Sequence, residues 1–468
     1  MMKRVAAIDL LRALAIVGMV ASGSMLWDAG LPAAMFHAQL PPPTFRFNPE
    51  VPGITWVDLV FPFFLFSMGA SMPLALRRRE AQGAGWGAVC KSAIHRFVWL
   101  AAFAIILGNT GMYLIKGTAS WVAALATLCV WLLFFAMFIR FPNMERGKNT
   151  ILNWGGFILL IVLTMLYKPL LGVGVSLSVN NIIILILANV ALFGTLLWWA
   201  TRNSLTARII IIAAFAVLKL ASEVEGSWCE WLWQQSPAAW LFRFEFLKYL
   251  CIVLAGSIIG DSIQRATAAG QFSAEGSDKP QRWVLAGIVI AIVATIVVLM
   301  WGLFVREVGI CVILTAVLVA VTWILLNRVK GNDTKLYREI YAAAVAMLLI
   351  GLIAEPMEGG IKKDPATIGY FFTTSAMAAM VLLAALIMEI RFNTRFKALE
   401  ACGANPMFAY VAAGYLITPL LTLLGLIKPL NEFCSEAPWL GFARGVLFAL
   451  LVIAVTYPLT RKNYYWKS

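Results

Sequence analysis

The feature that most constrains this chain is a series of fourteen apolar runs, at 5–27, 54–76, 94–115, 119–140, 151–168, 181–200, 207–221, 245–263, 283–304, 307–327, 337–354, 368–390, 405–426 and 438–459. Most approach the roughly 20 residues that a helix needs to cross a bilayer. None shows the strict alternation over about ten residues that marks a membrane β-strand. The chain is 62% hydrophobic and only 13% charged, with a mean hydropathy of +0.85. That much apolar surface does not fit inside a water-soluble globule. The expected fold is all-α, a polytopic integral membrane protein of about 12–14 transmembrane helices forming a single domain over residues 1–468. The run at 207–221 is the shortest, and only the pair Arg306-Glu307 divides the runs at 283–304 and 307–327.

If the N-terminus is cytoplasmic and all fourteen runs cross, 26 of the 37 basic residues but only 10 of the 23 acidic ones fall on the cytoplasmic side. This is the positive-inside bias, and it places both termini in the cytoplasm; twelve crossings would keep the same sidedness. The formal charge of +14 is therefore sorted by membrane side, and no nucleic-acid partner is read from it. The opening Met1-Met2-Lys3-Arg4 and the apolar run after it resemble a signal peptide. Asp9 and Arg12 interrupt that run, however, and it continues to about Trp27, so a retained first helix is expected. Seven cysteines lie mostly within apolar runs without Cys-x-x-Cys spacing, and the two histidines, His37 and His95, are far apart. No metal site is expected, and the cysteines read as small buried hydrophobes.

The stretch from Pro32 to Met72 carries the strongest candidates for chemistry. His37 lies in a Pro-rich, non-helical segment, and Asp58 sits one turn inside a very apolar run. A carboxylate inside a membrane helix costs about 2.5–3.5 kcal/mol on insertion scales unless a partner compensates it. His37 is on the same, outer face. A carboxylate holding one imidazole nitrogen fixes the tautomer and raises the basicity of the other, which suits it to deprotonate a hydroxyl or amine. Two further outer segments are notable: Ser227–Phe242, dense in Trp and read first as an interfacial helix, and Glu355–Thr367, with Glu355, Glu358, Lys362, Lys363 and Asp364.

On the cytoplasmic side, Asp9 and Arg12 share one helix face at i, i+3 spacing and either pair with each other or shape a cofactor mouth. Arg77, Arg78, Arg79, Lys91, His95 and Arg96 cluster near the second and third runs. They read either as positive-inside charge or as a phosphate-binding mouth for an anionic cofactor. Asn405, before Pro406, reads by default as a helix cap. There is no P-loop, no Gly-x-Ser-x-Gly elbow and no Gly-x-Gly-x-x-Gly fingerprint.

The opening AAIDLLRALAIVGMV, the pair His37-Ala38, the segments TWVDLVFPFFLFSMGAS and GGIKKDPATIGYFFTTSAM, and the late GANPMFAY together resemble the transmembrane acyltransferases related to heparan-alpha-glucosaminide N-acetyltransferase. The version with HAQLPPP and GITWVDLVFPFFLF is most similar to bacterial relatives, the DUF5009 group. The likeness is concentrated in residues 1–76, with weaker support from 350–415. It implies a multi-pass protein of the bacterial inner membrane that moves acetyl from cytoplasmic acetyl-CoA to an amino or hydroxyl group of a glycan or amino sugar on the far face. In that family the loop histidine is catalytic, which carries onto His37, with Asp58 as its orienting carboxylate. Asp9, Arg12, Arg77, Arg78, His95, Arg96 and Asn405 become the candidates for holding the cofactor. The chain departs from the family at Ala21-Ser22-Gly23-Ser24, where an asparagine is expected, and in ATLCVWLLFF, where a Leu-Gln-Arg motif is expected. A transporter or flippase for a lipid-linked or small anionic solute is the alternative. Membrane lipid and a second copy in a homodimer are the other expected partners.

Overall fold

The computed structural model describes residues 4–28, 30–271 and 279–467. In hydrocarbon, an N–H or C=O without an internal partner costs several kcal/mol, so each long apolar run closes its backbone hydrogen bonds on itself as a helix. The first four are α1 (Ala6–Ser24), α2 (Trp56–Ala81), α3 (Trp86–Thr110) and α4 (Ser120–Phe138). The two-residue strand β1 (Ile139–Arg140) follows, then α5 (Arg146–Leu171), α6 (Ile182–Thr201), α7 (Leu205–Ala221) and the short α8 (Trp228–Trp233). Next come α9 (Leu250–Ala268), α10 (Lys279–Val305), α11 (Val308–Arg328), α12 (Thr334–Ala354) and α13 (Ile368–Arg391). The chain ends with α14 (Lys397–Ala404), α15 (Pro406–Ala412), α16 (Thr418–Leu423), α17 (Ile427–Cys434), α18 (Pro438–Arg461) and β2 (Tyr465–Trp466).

Among the described residues thirteen helical segments are long and apolar enough to cross a membrane, counting α15 to α16 as one rod. The protein is thus an all-α polytopic membrane protein. The pair Arg306-Glu307 does separate two helices, with Arg306 at φ 68° making the turn between α10 and α11. β1 pairs antiparallel with β2, Ile139 opposite Trp466, and the Arg4 guanidinium lies 5.7 Å from the Tyr465 ring centre. Both ends of the chain therefore share one side, here called the terminus face. Thirteen crossings would put them on opposite sides. The fourteenth is α7, which at 17 residues is the shortest rod. It leaves the terminus face near Arg202 and reaches the 244–249 turn on the opposite side.

The centre of the bundle is built from α2, α9 and α13, whose apolar windows are 72%, 89% and 89% buried, against 22% for α5 and 17% for α11 at the periphery. α2 crosses α9 at backbone contact. Gly256 and Gly260, one turn apart on α9, face the carbonyls of Phe66 and Ala70 on α2, and Gly69 of α2 faces the Val253 carbonyl. A Cβ at any of the three would overlap that carbonyl. Small residues four apart let membrane helices approach this closely, where van der Waals contact rather than hydrophobicity drives association. The Pro62 and Pro73 rings sit within α2 without interrupting it.

Gly260→Val is expected to lower the melting temperature of the detergent-solubilised protein, at a cost of about 1–3 kcal/mol or more from overpacking. Gly155→Ala on α5, where an added Cβ meets nothing within 4 Å, is expected to be neutral or stabilising by about 0.5–1 kcal/mol. Thermal unfolding followed by tryptophan fluorescence compares the two, and equal melting temperatures would contradict the backbone-contact account.

Candidate active site

Asp58 is the third residue of α2, and its position follows from how that helix starts. Thr55 precedes the first turn, and Asp58 Oδ2 reaches back to the Thr55 N–H at 3.0 Å, the returning half of a capping box. The same oxygen accepts the Ala38 N–H at 3.2 Å and lies 3.1 Å from the Thr55 hydroxyl, which also donates to Phe36 O at 2.7 Å. The carboxylate is fully buried. With Oδ2 committed, Oδ1 has no hydrogen-bond partner; it faces His37 Nδ1 at 3.3 Å and Lys363 Nζ at 3.9 Å.

His37 Nδ1 also accepts the Gln39 backbone N–H at 3.0 Å. One nitrogen cannot accept that proton and donate to Asp58 at the same time. The Gln39 contact belongs to the neutral ring with its proton on Nε2. A proton on Nδ1 belongs to the Asp58 contact and leaves Nε2 free as a base. Burial pushes the His37 imidazole below its usual value of 6.5, opposed by Asp58, reinforced by Lys363 and opposed again by Asp364. The ring is therefore held neutral at physiological pH, as a base requires.

A second loop completes the site. Gln39, 1% exposed, donates from its amide to the carbonyls of Pro49 and Asp364 and accepts the Asp364 N–H at 3.0 Å. Gly53 N–H donates to Ile361 O at 2.8 Å, and Lys362 pairs with Glu50 at 2.9 Å. Glu358 caps α13 by accepting the N–H groups of Ile368 and Gly369 at 2.8 and 2.9 Å. From α13, the Tyr370 hydroxyl donates to Asp58 O at 2.8 Å. Beside His37, Trp27, Phe36 and Phe45 form a cluster with ring centres 4.9 to 5.5 Å apart, and Trp27 remains 45% exposed. Farther along this face, α8 presents Trp228 and Trp231 outward.

The remaining candidates lie at or toward the terminus face, in separate places. Asp9 pairs with Arg4 and lies 3.6 Å from Arg12. Arg12 donates to Gly403 O at 3.1 Å and Ser67 O at 3.3 Å. Arg77 is drawn toward α6, bonded to Glu80 at 2.8 Å and to the Arg202 carbonyl at 2.6 Å. Arg78 is exposed, and His95 stacks on Trp99 with centres 5.5 Å apart. Arg96 has no hydrogen-bond or carboxylate partner among the described residues. Asn405 stands at the N-cap position, yet its side chain makes no cap. It donates instead to Tyr464 O and accepts the Trp466 N–H, each at 3.0 Å. The helix-cap reading of that side chain is thus corrected, because the C-terminal tail supplies a better-placed donor and acceptor.

Sequence reasoning missed Gln39, Tyr370 and the reach of Lys363 to Asp58. The Lys362-Lys363-Asp364 run was visible as charge, but no local signal tied it to a loop more than 300 residues earlier. The Thr55-x-x-Asp58 spacing was the one available clue that Asp58 begins a helix.

No curated protein matches the chain. The sequence profile described as a domain of unknown function, DUF5009, matches residues 4–263. That span takes in His37, Asp58 and the α2–α9 crossing, and stops short of the loop that carries Lys363. It covers more than half of the 468 residues, and the chain belongs to the DUF5009 family.

Proposed function

We propose that the protein is a membrane acyltransferase that moves an acetyl group from acetyl-CoA, supplied at the terminus face, to an amino or hydroxyl group of a sugar or glycan at the His37 face. The observation that carries this reading is a neutral, half-buried imidazole paired with a carboxylate whose other oxygen is saturated, held between two loops at one membrane face. In the bacterial inner membrane the positive-inside bias makes the terminus face cytoplasmic. CoA is too highly charged to cross hydrocarbon, so only its thioester arm reaches inward.

With Nδ1–H turned to Asp58, His37 Nε2 takes the proton from the acceptor N–H or O–H as that atom bonds to the thioester carbonyl carbon. The C–S bond then breaks, and CoA leaves as thiolate and is protonated to the thiol. Alternatively Nε2 bonds to the carbonyl carbon first and CoA leaves as thiolate, giving an acetyl-histidine; the acceptor then takes the acetyl group, the C–N bond breaks, and the acceptor's proton passes to the departing thiolate or solvent. Lys363 stands by the same Asp58 oxygen as His37, and Trp27 offers an exposed ring against which a sugar stacks. A transporter for an anionic solute is the second reading, favoured by the π-helical turn Ala413–Ile417 that interrupts the rod from α15 to α16, since such interruptions mark functional sites.

His37→Ala is expected to lower acetyl transfer by about 10²–10⁴-fold, the usual worth of a general base, with the melting temperature retained. Full transfer in that variant would remove the base assignment. The acid limb of the rate profile is expected below pH 6.5, because activity needs the neutral ring and is lost as pH falls through its depressed pKa. Lys363→Gln removes a cation that lowers that pKa, so the limb moves to higher pH; Asp58→Asn removes a carboxylate that raises it, so the limb moves lower. Rate profiles of the two variants shifting in the same direction would contradict the electrostatic arrangement.

A further inference from the structure

A cleft of about 400 Å³ opens at the terminus face, walled by the segment before α1, by α1, α14 and the end of α18, and by β2. Its volume lies in the range of small-ligand sites. Four cations line it, Arg4, Arg395, Lys397 and Arg461, against two carboxylates, Asp9 and Glu400. Both carboxylates are already neutralised in place. Arg4 grips Asp9 through two nitrogens. Arg395 holds Glu400 at 2.7 and 3.0 Å, and the Phe396 N–H donates to the same group at 2.9 Å.

What remains is Lys397 and Arg461, neither with a carboxylate or hydrogen-bond partner among the described residues. Arg461 lies 5.7 Å from the Tyr457 ring centre, and the Tyr465 ring stands on another wall, flanked by Arg4. Two cations without a carboxylate partner and two half-exposed aromatic rings in one recess match a ligand that carries both phosphate and a flat ring. A guanidinium binds phosphate oxygens in a fork and an ammonium binds them as a point charge, while a ring offers a stacking face. Positive-inside charge alone does not require this arrangement. The same face carries Lys330, Lys335 and Arg338 around a recess that has no aromatic wall.

We propose that this cleft binds a phosphate ester attached to a planar ring, with Lys397 and Arg461 on the phosphate and Tyr457 or Tyr465 on the ring. Identifying the ligand as the phosphorylated nucleotide end of acetyl-CoA rests on the acyltransferase reading; recognition of the phosphate does not.

Isothermal titration of the full-length protein in detergent with adenosine 3′,5′-bisphosphate tests this. The Lys397→Gln/Arg461→Gln double variant is expected to bind about tenfold or more weakly than the unaltered chain, the worth of one or two charge-assisted contacts. A control double variant, Lys330→Gln/Lys335→Gln, is expected to bind within about twofold of it. Matching melting temperatures show that both variants are folded. No binding to the unaltered chain, or equal weakening in both variants, overturns the proposal. So does phosphatidic acid in nanodiscs stabilising the unaltered chain and the control but not the Lys397/Arg461 variant while the bisphosphate does not bind, because the site then takes a lipid headgroup that carries no ring. Binding lost in the double variant without any acetyl transfer by the unaltered chain keeps the phosphate site and removes the acyltransferase reading.

Discussion

The arrangement depends on one close approach, that of α2 to α9 with no side-chain atom between their backbones. Gly69, Gly256 and Gly260 each face a carbonyl across the crossing, so the axis of α2 is set by main-chain contact rather than by adaptable side chains. A helix fixed in this way presents its first turn at a defined depth, and its first turn carries Asp58. Tyr370 from α13 bonds the Asp58 carbonyl at 2.8 Å, so two of the three most buried rods meet at the carboxylate residue that faces His37. The Gln39 clamp and the Gly53–Ile361 bond then bring two loops, distant in sequence, over that helix start.

The two oxygens of Asp58 divide the work. Oδ2 takes the Ala38 and Thr55 N–H groups and holds the loop to the helix, as a capping carboxylate does. Oδ1 is left for His37 and Lys363. A buried charge with only one oxygen satisfied is costly, and here an imidazole and an ammonium both stand near the other oxygen. Burial, reinforced by Lys363, keeps the imidazole neutral against the opposing pull of Asp58, and such perturbed groups concentrate at functional sites. On the opposite side of the molecule, the carboxylates at the mouth of the terminus-face cleft are matched by arginines, which leaves a net excess of positive charge there.

Much of the fold was legible because membrane helices are written in composition. Each apolar run became a rod, and α7, the weakest run, is the shortest one. The candidate pair His37 and Asp58 was legible because each is an exception to its surroundings, and the structure brings them within 3.3 Å. Their partners were not. Lys363 and Gln39 look like ordinary loop residues until the loops are stacked, and contacts between residues 39 and 364 leave no periodic trace. Asn405 follows its sequence signal in position but not in bonding, because the C-terminal tail competes for its amide. Arg77 belongs by sequence to the basic cluster with Arg78 and Arg79, yet Glu80 and the Arg202 carbonyl draw it toward α6. The Gly256-x-x-x-Gly260 spacing was present in the sequence, and only the facing carbonyls give it meaning.

The proposed function requires that acetyl supplied on one side of the membrane reach a nucleophile on the other through His37. The most direct measurement uses sealed proteoliposomes of known orientation, with radiolabelled acetyl-CoA confined to the terminus face and glucosamine confined to the His37 face. N- or O-acetylated sugar is expected in the His37-face compartment. Product confined to the donor compartment, or no acetylated sugar from a folded protein that binds acetyl-CoA, would contradict it.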